Sequence, residues 1–238
     1  MRVAHELGMN TSATMMFGHI EGIADRIHHM SLVRSWQEQS IKDFGLNGGG
    51  RYNAFISWPF QPDNTPLGRV KEWDCSESSE FPGDSVATLD GSGHKSDHPE
   101  FGRRIRLAGS SSYLRTQAIS RLFLDNIYSI GSSWVTMGPA IGQTALFYGA
   151  NDMGSVMLEE NVVSAAGTTW CLDEAKLCLM IRDAGFTPAK RDNRYDILKI
   201  HNDEDAPDRM VTDWSALNKD KLLSQNEELE TIELTVTA

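Results

Sequence analysis

Two hydrophobic periods run along the first 200 residues of this 238-residue chain. Short, continuously apolar runs bounded by glycine predict buried strands, and apolar residues spaced three and four apart predict helices. Residues 2–8 read as the end of a helix closed by Gly8. Residues 11–17, TSATMMF, read as a strand, with Gly18, His19, Ile20 and Glu21 as the turn at its C-terminal end. A helix follows to about Phe44, with Ile23, Ile27, Met30, Val33, Trp36 and Ile41 on one face. Residues 53–60, NAFISWPF, give a second strand, broken by Pro59 and Pro62.

The pattern then lapses. Residues 69–111 are rich in Ser, Gly and Asp, with mixed charge and little periodicity, and read as an inserted, mostly disordered surface loop. It resumes with a helix over 113–125, with Leu114, Ala118, Leu122 and Phe123 inward, and a third strand over 127–135. A helix over 139–149, a short strand at 151–157, helices over 158–166 and 172–184 and an extended piece at 187–200 complete the series. Strands alternating with helices predict an α/β fold with a parallel sheet covered by helices. In such sheets, function gathers at the C-terminal strand ends. Four polar clusters fall there: 18–21, 61–65, 134–138 and 151–155.

Residues 132–167 contain neither Lys nor Arg. Their polar groups (among them Ser133, Thr136, Asn151 and Asp152) sit at turns between apolar runs. Unpaired, each costs roughly 1–3 kcal/mol on burial, so they bond one another or wait for a ligand.

Charge narrows the functional classes. The net charge is −11, but residues 201–238, with ten acids and three bases, hold −7 of it. The body is near neutral and the tail, expected to be disordered, is acidic. Neither nucleic acid nor an anionic membrane is an expected partner. No apolar run reaches 18 residues, and Met1 opens without a hydrophobic leader, so a cytoplasmic location is expected. Cys75, Cys171 and Cys178 are too few and scattered for a disulfide framework, and their spacing is not that of a metal site.

Five segments together carry a family resemblance: ATMMFGHIE (13–21), FISWPFQPDNTPL (55–67), YLRTQAISRLFLDNI (113–127), residues 132–167 and IRDAGFTPAKRDNRY (181–195). They resemble the cyclic dehypoxanthinyl futalosine synthases, radical S-adenosylmethionine enzymes of menaquinone biosynthesis. Aminofutalosine synthase and the deazaflavin-forming FO synthase subunits are related alternatives. The resemblance implies a (β/α) barrel, a [4Fe-4S] cluster, S-adenosylmethionine as cofactor and dehypoxanthine futalosine as a small nucleoside substrate, cyclised after hydrogen abstraction from its ribose. Family members also carry a Cys-x-x-x-Cys-x-x-Cys loop, and this chain has none. Its first strand resembles the fifth of the barrel. The expectation is therefore the C-terminal half of a barrel: residues 1–68 and 112–200 as its two segments, 69–111 as insert and 201–238 as tail. A late-assigned start, a split gene with a separate N-terminal half chain, or a degenerate non-catalytic remnant would each account for the missing loop.

The resemblance gives roles to the strand-end residues. Gly18, His19 and Glu21 would border the cofactor, although a carboxylate here also suits the N-terminus of the next helix. Gln61, Asn64 and Thr65 would bond substrate, or only form a turn. Arg115 would meet the benzoate carboxylate, or be a solvated helix residue. Trp134 would wall the aromatic part, with core as its other fate, and Ser133, Thr136 and Asn151 would bind substrate beside it. Asp152 would accept ribose hydroxyls or a proton, or form an Asx turn. Asp152 and Glu21 are the candidate catalytic residues. No metal ligand is expected; His28 and His29 read as surface residues.

Overall fold

The computed structural model describes residues 1–45, 49–69, 105–156 and 170–211. They fall in two compact units, one ending at Ser155 and one comprising Val156 and residues 170–211. The helix expected over 158–166, most of the insert and the tail beyond Val211 lie outside the described residues.

The first unit is α/β. A short helix α1 (Arg2–Glu6) leads to β1 (Thr11–Phe17), α2 (Ile23–Phe44), β2 (Tyr52–Pro59), α3 (Ser110–Phe123), β3 (Ser129–Gly131), α4 (Trp134–Met137) and α5 (Pro139–Thr144). The strands form one parallel sheet in the order β1-β2-β3. Phe17 lies opposite Pro59 and Met15 opposite Ser57, while Phe55 lies opposite Ile130. The described residues form an open sheet and no closed barrel. In place of the strand expected at 151–157 there is one parallel bridge, Gly131 to Asp152.

The register divides the sheet into two faces. Ala13, Met15, Phe17, Phe55, Ser57 and Ile130 point toward α2 and α3 and are buried. Phe17, Phe55 and Ile130 are fully enclosed, each worth roughly 1.5–3 kcal/mol. The opposite face carries Ser12, Thr14 and Met16 on β1 and Ala54, Ile56 and Trp58 on β2. Backbone pairing alternates too: Thr11 N donates to Arg51 O and Phe17 O accepts from Phe60 N. Odd residues of β1 thus bond β2, and the peptide groups of Ser12, Thr14 and Met16 point to the strand's other edge, which pairs with no described strand.

Both long helices bury a more polar face than the periodicity predicts. On α2 the buried residues are Met30, Val33, Gln37 and Ser40, whereas Ile23 and Trp36 are exposed. On α3 they are Tyr113, Thr116, Gln117 and Ser120, while Leu122 faces outward. The reason is backbone demand at strand ends. Gln37 donates to Tyr52 O and Asn126 O and accepts from Tyr52 N. Gln117 donates to Gly131 O and accepts from Ser57 Oγ. Ser40 bonds the ring of His5, whose other nitrogen meets Thr11 Oγ1, and burial lowers the pKa of that imidazole. His28 and His29 are half-buried rather than surface residues. Burial lowers the pKa of His29, opposed by a hydrogen bond to the backbone of Thr14.

Two boundaries move. Residues 105–111, assigned above to the insert, are seated: Ile105 is buried, Arg106 N donates to His19 O (2.8 Å), and α3 begins at Ser110. The third strand stops at Gly131, so Trp134 opens a helix rather than ending a strand.

In the second unit, Asp173 caps α6 (Glu174–Asp183) by accepting from Lys176 N. The extended piece at 187–200 is an antiparallel hairpin of β4 (Ala189–Arg191) and β5 (Ile197–Ile200). Residues 201–211 are part of this unit: Arg182 binds the buried carboxylate of Asp208 through both oxygens, at 2.5 and 3.1 Å, and donates to His201 O.

Candidate functional site at the strand ends

The C-terminal ends of β1, β2 and β3 and the segment bridged to β3 bring the four polar clusters to one rim. At β1, the backbone turns at Gly18 (φ +82°), where a Cβ would come within 2.6 Å of the Ala108 side chain. Only glycine fits both the left-handed backbone and that approach. Glu21 closes the turn on itself: Oε1 accepts from Gly18 N (2.7 Å) and Oε2 from His19 N (2.9 Å). Arg26, one turn into α2, donates to Oε1 at 2.8 Å and stacks 4.6 Å above the Phe17 ring. Both partners are largely enclosed, Glu21 11% and Arg26 15% exposed. Arg26 also reaches Ser112 and Thr116 on α3. The carboxylate is therefore engaged as a clamp, both oxygens accepting hydrogen bonds. His19 Nδ1 accepts from Ile20 N (2.8 Å) and stands 3.1 Å from Glu21 Oε2.

At β2, Gln61 donates to Pro59 O, Asn64 adopts φ +58°, and Thr65 Oγ1 donates to Pro62 O and accepts from Gly68 N. This is turn chemistry, and it shapes one side of a cavity of about 380 Å³ completed by Arg69, Ile105 and Leu107. Arg115 lies on the exposed side of α3, donates to Ser111 Oγ (3.4 Å) and lines a cavity of about 430 Å³ between α2 and α3 with Glu21, Arg26, Arg106 and Ile119.

At β3, Ser133 N donates to Tyr113 OH (2.7 Å), and Ser133 Oγ meets Thr136 Oγ1 at 2.7 Å. Burial raises the pKa of Tyr113, so its hydroxyl stays protonated and accepts that bond as a neutral group. Trp134 cannot wall a ligand: it is 1% exposed, its Nε1 donates to Met153 O, and Gly142 packs so closely that a Cβ there would lie 2.3 Å from the Trp134 Cβ. Asn151 is likewise committed to the scaffold. Its Oδ1 accepts from Ile130 N and Arg121 Nη2, and its Nδ2 donates to Tyr128 O. Asp152 stands beside Gly131, and its Oδ1 accepts from Gly154 N in an Asx turn.

Sequence reasoning passed over Arg26, Tyr113, Gln117 and Trp58. Alternation along β2 could have found Trp58, because Pro59 and Ser57 face the helices and Trp58 must face the other way. No local signal marks Tyr113 or Gln117, whose partners lie 20 and 14 residues away.

Among the described residues, Cys171 and Cys178 do not fit a [4Fe-4S] cluster. Such clusters need grouped thiolates. The thiol of Cys178 is pushed up to about 11 by burial and by Asp208 and Glu174, so it remains protonated. Among the described residues no group of three or more His, Cys, Asp or Glu is placed to hold a metal ion, and no helix is long and apolar enough to cross a membrane.

Comparison with known proteins finds relatives of one kind. Residues 101–204 match the family model described as the CofH/MqnC C-terminal region. The chain is 37% identical over 209 residues to the cyclic dehypoxanthine futalosine synthase of Halalkalibacterium halodurans, covering 88% of this chain and 45% of that protein. It is 36% identical over 203 residues to the same-named protein of Streptomyces coelicolor, covering 85% and 40%. An aminodeoxyfutalosine synthase of Thermus thermophilus is 31% identical over 201 residues, covering 84% and 43%. The chain thus spans less than half the length of these relatives.

Proposed function

Because residues 101–204 carry the CofH/MqnC C-terminal region, we propose that this chain is the substrate-side portion of an enzyme that cyclises dehypoxanthine futalosine on the route to menaquinone. One observation carries the reading: within a chain 37% identical to a cyclic dehypoxanthine futalosine synthase, a parallel sheet sets residues 18–21, 61–65, 132–136 and 152 on a single rim. In a completed (β/α) barrel this rim is one wall of the nucleoside and cofactor pocket.

The rim residues divide by chemistry. Gly18, His19 and the clamp of Glu21 and Arg26 give a rigid edge on the cofactor side. Gln61, Asn64, Thr65, Ser133 and Thr136 offer amide and hydroxyl groups to the ribose and the carboxylate-bearing ring, with Asp152 as an acceptor for ribose hydroxyls. Arg115, on the outer side of α3, is set aside as carboxylate ligand. S-adenosylmethionine, when bound beside a reduced cluster, supplies hydrogen-atom abstraction. The thiolates for that cluster are not in this chain's described residues, so the reaction needs a complement that carries them.

The test is reconstitution. The chain alone, incubated with iron and sulfide, is expected to give no [4Fe-4S] absorbance and no turnover. Mixed with the N-terminal portion of the H. halodurans relative, it should convert dehypoxanthine futalosine to the spirocyclic product. A full cluster spectrum from this chain alone, or a cluster-loaded mixture that binds no substrate, would overturn the proposal. A parallel incubation with the precursors of aminodeoxyfutalosine separates the related enzyme: turnover there, and none of dehypoxanthine futalosine, would assign the chain to it. Because no metal group exists among the described residues, a non-catalytic half that binds the nucleoside without turnover is the second reading, and substrate binding without product in the loaded mixture identifies it.

A further inference from the structure

We infer that Trp58, with Met16 beside it, is the platform on which the planar ring of the substrate lies; this rests on the reading above that the rim takes an aromatic nucleoside. The sheet face turned away from α2 and α3 is built in rows by the register: Ser12 with Ala54 and Ser129, then Thr14 with Ile56 and Gly131, then Met16 with Trp58. The last row lies nearest the C-terminal strand ends, where ligands of parallel sheets bind. It is also the row that stands open, with Met16 48% and Trp58 39% exposed.

Ser12, Ala54 and Ser129 farther down the face are small, and Gly131 presents no side chain, Ile56 lying 3.0 Å from where its Cβ would stand. Trp134, at the start of α4, is enclosed. Polar groups border the platform: the His19 turn follows Met16 by three residues, Gln61 follows Trp58 by three, and α4, which bears Thr136, packs against β2. A flat ring on indole and thioether, with hydroxyl and amide groups at the margin, suits an aromatic carboxylate joined to a sugar. A flexible apolar ligand would draw no benefit from the plane.

The full chain is titrated calorimetrically with dehypoxanthine futalosine and, as ring-free control, with ribose. Trp58→Ala is expected to weaken nucleoside binding about ten-fold and Trp58→Leu comparably, since leucine restores bulk but not the plane. Trp58→Phe should stay within about three-fold of wild type. Trp36→Ala, exposed on α2, is expected to bind as wild type. Melting temperatures of the variants report folding separately. If wild type binds and both Trp58→Ala and Trp58→Leu bind equally well, the platform falls while the functional reading stands. If Trp58→Ala lowers the melting temperature of the complemented enzyme and leaves nucleoside affinity unchanged, the indole is covered by protein and the platform is likewise refuted. If the wild-type chain takes up no aromatic nucleoside, alone or complemented, the functional reading falls and the platform with it.

Discussion

Glu21 and Arg26 form a charged pair whose value lies in what else they hold. The carboxylate satisfies two backbone N–H groups of the turn, and the guanidinium ties that turn to α3. Glu21→Ala leaves Arg26 largely buried and uncompensated, which is expected to cost about 3–5 kcal/mol; Glu21→Gln keeps one acceptor and should cost about 1–3 kcal/mol. Urea unfolding of the two variants checks the order. Tyr113→Phe removes the acceptor for the buried Ser133 N–H and is expected to cost about 1–3 kcal/mol, measured the same way; equality with wild type would show that water replaces the hydroxyl. Single residues were legible where chemistry is local. The Glu21 turn and the turn at Asn64 and Thr65 follow from spacing alone. Tyr113 was not legible, because nothing in its own neighbourhood says that a backbone amide 20 residues on needs a partner.

At the scale of elements, β1, α2, β2 and α6 sit where periodicity and capping place them. What the pattern misassigned was the buried side of each long helix. Hydrophobicity selected Ile23 and Trp36 on α2 and Leu122 on α3, yet the sheet is met by Gln37, Ser40, Thr116 and Gln117. A helix that must satisfy strand-end peptide groups places amides and hydroxyls inward, and apolar counting cannot see that demand. β3 is shorter than its pattern for a related reason: the apolar run from Ile127 to Val135 contains the start of α4 as well as the strand. In the second unit, the Arg182–Asp208 pair fastens α6 to the segment after β5. The Arg182 guanidinium holds the Asp208 carboxyl below its ordinary value of 3.8. A depressed carboxyl stabilises the fold above the unfolded value, and that contribution is lost as pH falls through the folded one. Acid unfolding of this unit should therefore begin below about pH 4, and Asp208→Asn should flatten it, as followed by the fluorescence of Trp170.

For the whole molecule, two further groups set a second acid response. Burial lowers the pKa of His5 and His29 below the ordinary 6.5, so both are neutral in the folded unit and gain a proton more readily when unfolded. The first unit is expected to lose stability as pH falls below 6.5 toward their folded values, a step that His29→Gln should shrink in thermal melts between pH 7.5 and about pH 5.5. The edge of β1 that pairs with no described strand adds a concentration dependence, since such strand edges recruit others. Thr14→Pro removes no hydrogen bond to β2, and it is expected to preserve the circular dichroism while suppressing self-association in sedimentation velocity. The parallel α/β class was legible from the alternation of strands and helices, whereas closure was not, because the chain spans less than half the length of its relatives. That edge also gives the chain a built-in isotopic signature. Peptide groups of Ala13, Met15 and Phe17 are turned to β2, those of Ser12, Thr14 and Met16 away from it, so deuterium should enter β1 with a period of two residues: slowly, quickly, slowly. A strand laid along that edge would erase the alternation, and the slowing of exchange at those three amides would time its arrival.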